Sequence, residues 1–114
     1  DNLAPEADFS TTKTNIEINE ETTLTDISGG KEATKRTWLV ESTSGNTNNV
    51  VLVQGDYNAS KAITVKFTAT GSYRVTLTVT NEYGFYSITL PKGNYNLEVS
   101  YIGYETIKKE RGIK

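Results

Sequence analysis

Hydrophobic and polar residues alternate along most of this chain, which is the pattern of β-strands with one buried face. The clearest cases are the neighbouring segments 61–69 and 73–80. Their apolar positions fall on every second residue: Ile63, Val65, Phe67 and Ala69, then Tyr73, Val75, Leu77 and Val79. Alternate side chains of a strand point to opposite faces of a sheet. We therefore predict two strands joined by a turn at 69–72, with these apolar residues in the core.

Shorter segments of similar composition predict further strands at 16–18, 22–27, 34–41 and 50–53. Trp38 and Val40 should share one face of their strand. Val50 to Val53 is apolar throughout, so we predict a strand buried on both faces. The stretch 42–49 consists of Ser, Thr, Gly and Asn and predicts a solvated loop. We find no long stripe of apolar residues at helical spacing, so little helix is expected.

Two more alternating segments follow Asn81 and predict a C-terminal hairpin. The first has apolar residues at Tyr86, Ile88 and Leu90, and the second at Tyr95, Leu97, Val99 and Tyr101. The sequence Pro-Lys-Gly-Asn at 91–94 would form the turn between them. We assign Tyr86, Tyr95 and Tyr101 to the core face. The polar, basic residues 108–114 predict a frayed tail.

Eight or nine short strands separated by turns predict an all-β fold of two packed antiparallel sheets. An Ig-like antiparallel β-sandwich with an extra C-terminal hairpin is the favoured form. A small barrel is the alternative, and periodicity alone does not separate the two. The 114 residues fit one domain. Within it we assign the sandwich core to 5–84, the C-terminal strands to 85–107 and the tail to 108–114.

Composition excludes several function classes. The chain has no Cys and no His, which removes thiolate metal sites, thiol catalysis and the commonest proton-transfer side chain. Twelve Lys and Arg against fourteen Asp and Glu give a net charge of −2, so we expect no nucleic-acid partner. No apolar run approaches 18 residues, so we expect no membrane insertion by this chain.

The acidic residues do not form a recognisable ion site or catalytic pair. The candidates for Ca²⁺ are Glu17, Glu20, Glu21, Asp26 and Asp56, but no Asp-x-Asp-x-Asp loop occurs. No two acids can be nominated for glycoside hydrolysis, and no Gly-rich phosphate loop lies between a strand and a helix. We therefore expect a non-enzymatic chain without metal or cofactor.

Aromatic residues are the remaining candidates for function. Trp38 could stack on a sugar ring, but its position on a strand with Val40 favours a core role. Tyr73, just after Gly71 at the start of a strand, matches a tyrosine corner, in which the hydroxyl bonds back to the chain. Tyr83, Phe85 and Tyr104 are left as candidates for exposure. They could contact a glycan or a protein, or they could cover the end of the fold or pack on a neighbouring domain.

Several segments occur in the order typical of one known family: Pro5 and Phe9, then Leu-Thr-Asp-Ile-Ser-Gly at 24–29, then Trp38, then Gly-Ser-Tyr-Arg-Val-Thr-Leu-Thr-Val-Thr-Asn at 71–81 and Gly84. Over about residues 5–84 the chain thus resembles the PKD domain, an Ig-like β-sandwich found in extracellular and cell-surface proteins. The chain departs from the family after Trp38, where Leu39 to Ser42 replaces an aromatic-Gly-Asp-Gly turn.

The segment from Gly84 to Glu105 resembles a different family. Its sequence Gly-Phe-Tyr-Ser-Ile-Thr-Leu-Pro-Lys-Gly-Asn-Tyr-Asn-Leu-Glu-Val-Ser-Tyr-Ile-Gly-Tyr-Glu is similar to the second half of a carboxypeptidase-regulatory-like domain. That family is common in secreted proteins and in outer-membrane receptors of Bacteroidetes. Its first half is not visible here, so either the two patterns share strands in one sandwich or this segment adds strands to the sheet of the first fold, and we favour the second.

Together the two resemblances imply a non-catalytic spacer or interaction module of a secreted or surface-anchored bacterial protein, extracellular or associated with the outer membrane. The alternative is a carbohydrate- or protein-binding module that uses exposed aromatics, in glycan uptake for example. The partners would be a glycan or neighbouring domains of the same protein. We also expect the C-terminal hairpin, through its edge strand at 94–102, to pair with a second copy of the chain or to swap between chains.

Overall fold

The computed structural model describes residues 4–13, 15–91, 99–101 and 104–109. These residues contain strands and no helix, so the predicted all-β class is confirmed. The first six strands are β1 (Pro5–Glu6), β2 (Phe9–Thr11), β3 (Asn15–Ile16), β4 (Thr22–Asp26), β5 (Gly29–Gly30) and β6 (Lys35–Ser42). The others are β7 (Val50–Gln54), β8 (Ala62–Phe67), β9 (Gly71–Thr80), β10 (Tyr86–Pro91), β11 (Val99–Tyr101) and β12 (Tyr104–Lys109).

The strands form two main sheets. In the first, the order is β2-β4-β8-β7 and all neighbours are antiparallel. In the second, β9 is central, and β6 pairs with it antiparallel from Lys35–Thr80 to Ser42–Tyr73. The other edge of β9 is shared by β10, which is antiparallel, and β11, which is parallel. Outside these lie β12 and β3, respectively, and β1 pairs with β5 separately.

One hydrophobic cluster joins the two main sheets. The first sheet contributes Phe9, Leu24, Ile63, Val65 and Phe67, and the second contributes Ile16, Trp38, Val40, Tyr73, Val75, Leu77 and Val79. Two aromatic pairs connect the sheets directly. The ring centroids of Phe9 and Trp38 lie 5.8 Å apart in an edge contact, and those of Phe67 and Tyr73 lie 4.4 Å apart. The predicted core of β8 and β9 is therefore confirmed.

The predicted roles of two aromatic residues are also confirmed. Trp38 is only 2% exposed, and its indole N–H donates to the Ser60 carbonyl at 2.9 Å. The Tyr73 hydroxyl donates to the Ala69 carbonyl at 2.7 Å, which is the back-bond of a tyrosine corner. Gly71, which lies between Ala69 and Tyr73, has a φ of 147°, a conformation that other residues rarely adopt. The Tyr73 bond fixes the turn at which the chain passes from β8 in the first sheet to β9 in the second.

The pairing predicted for the C-terminal hairpin is wrong. β10 pairs with β12, from Tyr86–Lys109 to Pro91–Tyr104, and not with the segment 95–101. Of that segment, 95–98 lie outside the described residues, and β11 lies between β9 and β3. The reason is that β10 leaves β9 after Ile88, so the rest of this edge of β9 is open to another strand.

The inward face of β10 is the opposite of the one predicted. Ser87 and Thr89 are fully buried, whereas Tyr86 and Ile88 are only half-buried. Ser87 lies opposite core-facing Val79, and residues that lie opposite each other share a face. The two hydroxyls accept backbone hydrogen bonds, from Ala7 N–H to Ser87 at 2.7 Å and from Leu77 N–H to Thr89 at 2.8 Å. They satisfy buried donors where strand pairing ends.

Three other predictions differ from the structure or lie partly outside the described residues. β7 is an edge strand, so Val51 and Val53 are 38% and 41% exposed, and the prediction of burial on both faces is wrong. Lys108 and Lys109, assigned to the frayed tail, are the last residues of β12, and 110–114 lie outside the described residues. Of the proposed edge strand at 94–102, Val99–Tyr101 has a neighbour on each side, and the other residues are outside the described part.

Candidate functional site

The candidate site is built on the turn that joins β9 to β10. Asn81 is buried, and its side-chain oxygen accepts from the backbone N–H groups of Tyr83 at 3.0 Å and Phe85 at 3.1 Å. Its own N–H donates to the Phe85 carbonyl at 2.9 Å, and its carbonyl accepts from Gly84 at 3.1 Å. An Asn side chain that bonds the backbone two residues on is a common means of closing a turn. The backbone under the two aromatic residues is therefore well defined.

This turn presents Tyr83 to solvent. Tyr83 is 67% exposed, more than any other large hydrophobic residue in the described part of the chain. Phe85, two residues further on, is half-buried. The structure therefore brings Tyr83 and Phe85 together in one turn, with one ring exposed and the other partly covered.

An open depression of about 310 Å³ lies beside the turn. Its second wall comes from the loop before β6, which contributes Lys31, Glu32 and Thr34. The N–H of Thr34 donates to the Thr80 carbonyl at 2.8 Å, and this bond holds the loop against the end of β9. Asn81 and Glu82 complete the lining together with the two aromatic residues.

The charges around the depression have mixed sign. Lys31, Glu32 and Glu82 are all exposed, so each remains in contact with water. The Glu82 carboxylate raises the pKa of the Tyr83 hydroxyl, through a hydrogen bond and through its negative charge. Tyr83 is thus a neutral hydrogen-bond donor at physiological pH. An aromatic face next to donors and acceptors can bind an amphipathic ligand such as a sugar ring or a peptide.

Tyr104, the third aromatic candidate, has its backbone at the other end of β10. It pairs with Pro91, whereas Tyr86, next to the turn, pairs with Lys109. Five residues of strand separate the two positions, or about 17 Å at the rise of an extended chain. The path of the backbone therefore places Tyr104 away from the depression. The side chain of Tyr104 lies outside the described part of the structure.

The acidic residues considered for Ca²⁺ are dispersed. Glu20 pairs with Lys13 at 2.6 Å on the surface, and Asp26 pairs with Arg36 at 2.7 Å on a partly buried face. In the part of the chain that the structure describes, no group of three or more His, Cys, Asp or Glu could hold a metal ion. The same part has no helix long and apolar enough to cross a membrane.

The residues of the second wall were not found by sequence reasoning. Lys31 and Glu32 precede β6 by a few residues and lie about 50 positions before the turn. Only the pairing of Lys35 with Thr80 places the start of β6 at the end of β9. Knowledge of that register would have identified the loop, because the residues just before β6 must then adjoin those just after β9.

Comparisons of the chain with models of protein families, with curated proteins and with solved structures gave no match.

Proposed function

We propose that this chain is an Ig-like β-sandwich of the PKD type and acts as a non-catalytic spacer or interaction module. The order of the strands carries this proposal. In the Ig fold, strands A-B-E-D form one sheet and C-F-G the other. Numbering β2, β4, β6, β7, β8 and β9 as A to F gives the order A-B-E-D in the first sheet and pairs C with F in the second. The strand-C tryptophan and the strand-F tyrosine corner are further Ig features.

The position of the first and last described strands, β1 and β12, supports a module that contacts neighbouring domains. The Ala7 N–H bonds the Ser87 hydroxyl, and Ser87 pairs with Lys108. The first and last described strands therefore lie near each other, next to the turn at 81–85. A domain that contacted these two strands would adjoin the turn that carries Tyr83 and Phe85. The proposed location, outside the cell or at its surface, follows from the two family resemblances alone.

A panel of polysaccharides tests the non-catalytic role. We expect the purified chain to release no new reducing ends from any of them, because Glu32 and Glu82 are exposed and line an open depression that does not exclude water. Glu82→Gln and Glu32→Gln are the matched controls for contaminating activity. Hydrolysis by the unaltered chain that either substitution abolishes would overturn the proposal.

The exposure of Tyr83 favours a second candidate function, carbohydrate binding. Flat sugar faces pack on aromatic rings, and the exposed ring stands beside Lys31, Glu32 and Glu82, which could bond sugar hydroxyls. The site is shallow, so a short stretch of a polysaccharide chain fits it better than an enclosed small molecule does.

Substitution of Tyr83 by alanine tests this second candidate. If a glycan array identifies a ligand, Tyr83→Ala should raise its Kd by about tenfold or more, because the ring supplies most of the apolar contact. Leu39→Ala, at a residue that is 43% exposed on β6, is the control and should leave the Kd unchanged. Binding that is insensitive to Tyr83→Ala, or equally sensitive to both changes, would exclude the site.

A further inference from the structure

A second feature of the surface is independent of the aromatic turn. β7 forms the outer edge of the first sheet and carries two exposed valines, Val51 and Val53, on its outer face. Val50 and Leu52 alternate with them, and their side chains pack against the core cluster. Behind β7 an open groove of about 360 Å³ separates it from β6. Trp38, Val40 and Tyr57 are among the residues that line this groove.

The hydrogen-bonding groups of β7 face outwards at alternate residues. The Asn49 carbonyl accepts from Thr68 N–H, and Val51 pairs with Lys66 in the same register. In an antiparallel pair, residues that exchange hydrogen bonds alternate with residues whose peptide groups point away. Val50 and Leu52 therefore direct their N–H and C=O groups to the open side. Among the described residues, the only partner on that side is the Thr47 carbonyl, which the Val50 N–H bonds at 3.1 Å.

The charge pattern distinguishes β7 from the other sheet edges. Ser42 to Gly55 is a run of 14 residues without Asp, Glu, Lys or Arg, the longest in the chain. The edge strands β6 and β12 both contain charged residues, and β2 and β3 have only three and two residues. Natural edge strands are commonly protected from pairing by charges or by extreme shortness. Of the described edge strands in the two main sheets, β7 alone has neither protection. Its register with β8 shifts only beyond Leu52, so Val50 to Leu52 form a regular edge.

We propose that β7 is a self-association edge, at which two copies of the chain pair antiparallel about a two-fold axis through Val51. This register places Val50 opposite Leu52 of the second copy, so the Leu52 N–H of each copy donates to the Val50 carbonyl of the other, while the Val50 N–H keeps its bond to Thr47. It places Val51 opposite its own counterpart, which is favourable only for an uncharged residue, because a two-fold axis sets any charge against itself. The two four-stranded sheets then form one continuous sheet of eight strands across the pair.

A second copy fits this edge better than an unrelated strand. A two-fold contact uses the same patch twice, so the patch must be complementary to itself, and an uncharged, alternating Val and Leu strand meets this condition. The contact involves about five residues from each chain, which is small compared with stable interfaces. The dimer therefore forms at high concentration, or between chains held close together on one surface or in one assembly.

Disulfide trapping tests the predicted register. The chain has no cysteine, so Val51→Cys introduces a single thiol. Non-hydrogen-bonded antiparallel pairs place their Cα atoms about 4.5 Å apart, within the range that a disulfide spans. We expect mild oxidation of this variant to give a covalent dimer at high yield. Val53→Cys, exposed on β7 but away from the axis, and Ile27→Cys, at a 51% exposed residue outside β7, are the matched controls. Equal cross-linking of all three variants, or none for Val51→Cys, would overturn the proposal.

Sedimentation equilibrium of the chain without cysteine provides an independent readout. The unaltered chain should show reversible dimerisation as its concentration rises. Val51→Lys should lower the association constant by about tenfold or more, because it sets two ammonium groups opposite each other. Val53→Lys should have a smaller effect, since that residue lies off the axis. A purely monomeric chain at millimolar concentration, or a dimer that tolerates Val51→Lys, would refute the proposal that β7 is a self-association edge.

Discussion

Replacement of Trp38 by alanine should lower the free energy of unfolding by about 4 kcal/mol, in the range found for loss of a buried aromatic side chain. The indole is 2% exposed, touches the ring of Phe9 on the other sheet and donates to the Ser60 carbonyl. The substitution leaves a cavity between the sheets and an unsatisfied carbonyl at its edge. Urea unfolding followed by far-ultraviolet circular dichroism measures the loss.

Leu39→Ala is the matched control for this experiment. Leu39 is the next residue of the same strand, but it is 43% exposed and points away from the core. Its truncation should cost about 1 kcal/mol or less, as is usual for surface positions. Comparable losses at Trp38 and Leu39 would mean that β6 does not present its Trp38 face to the core, and the account of the sheet packing would be wrong.

Replacement of Asp26 by alanine should cost about 2 to 3 kcal/mol, between the values for exposed and fully buried ion pairs. Asp26 is 3% exposed, and its carboxylate accepts from Arg36 at 2.7 Å and from the Ser28 N–H at 2.8 Å. Burial alone would raise the pKa of this carboxyl, but the hydrogen bonds from Ser28 and Arg36 and the Arg36 charge lower it overall. The charged form is therefore the one that the fold stabilises.

This pKa shift determines the sign of the pH dependence. A carboxyl whose pKa is lower in the folded state adds stability above its unfolded pKa of about 3.9 and loses it as the pH falls through the folded value. The difference in urea midpoint between the unaltered chain and Asp26→Asn should thus be large at pH 7 and shrink in strong acid. Glu20→Gln, in the exposed pair with Lys13, should leave the midpoint nearly unchanged at pH 7. A constant Asp26→Asn difference across this pH range would contradict the assigned role.

The sequence predicts the strands of this fold better than their partners. In β8 and β9, every apolar residue of the alternating set except Ala69 is buried, because both strands have sheet neighbours on each side and one face on the core. In β10 the same pattern gave the wrong face. Alternation shows that a strand has two different faces, but the register with β9 decides which one is buried, and here the hydroxyls of Ser87 and Thr89 are needed inside.

In the candidate site too, local sequence patterns predict some features and miss those that depend on strand pairing. The exposure of Tyr83 was predicted, since it lies in a turn outside the alternating set. The contribution of Lys31 and Glu32 to the site was not predicted, because their position beside the turn depends on the pairing of β6 with β9, which no local pattern reveals. The tyrosine corner at Tyr73 was predictable because its bond to Ala69 spans only four residues. Contacts between distant segments were beyond the reach of composition and periodicity.

The central claim is that the two main sheets bury their inner faces against each other in a single core. A nuclear Overhauser spectrum tests it most directly, since the chain has one Trp, three Phe and seven Tyr, few enough for the ring signals to be assigned individually. The account predicts cross-peaks between the rings of Phe9 and Trp38 and between those of Phe67 and Tyr73, each pair joining one sheet to the other. Well-resolved ring signals without either set of cross-peaks would contradict it.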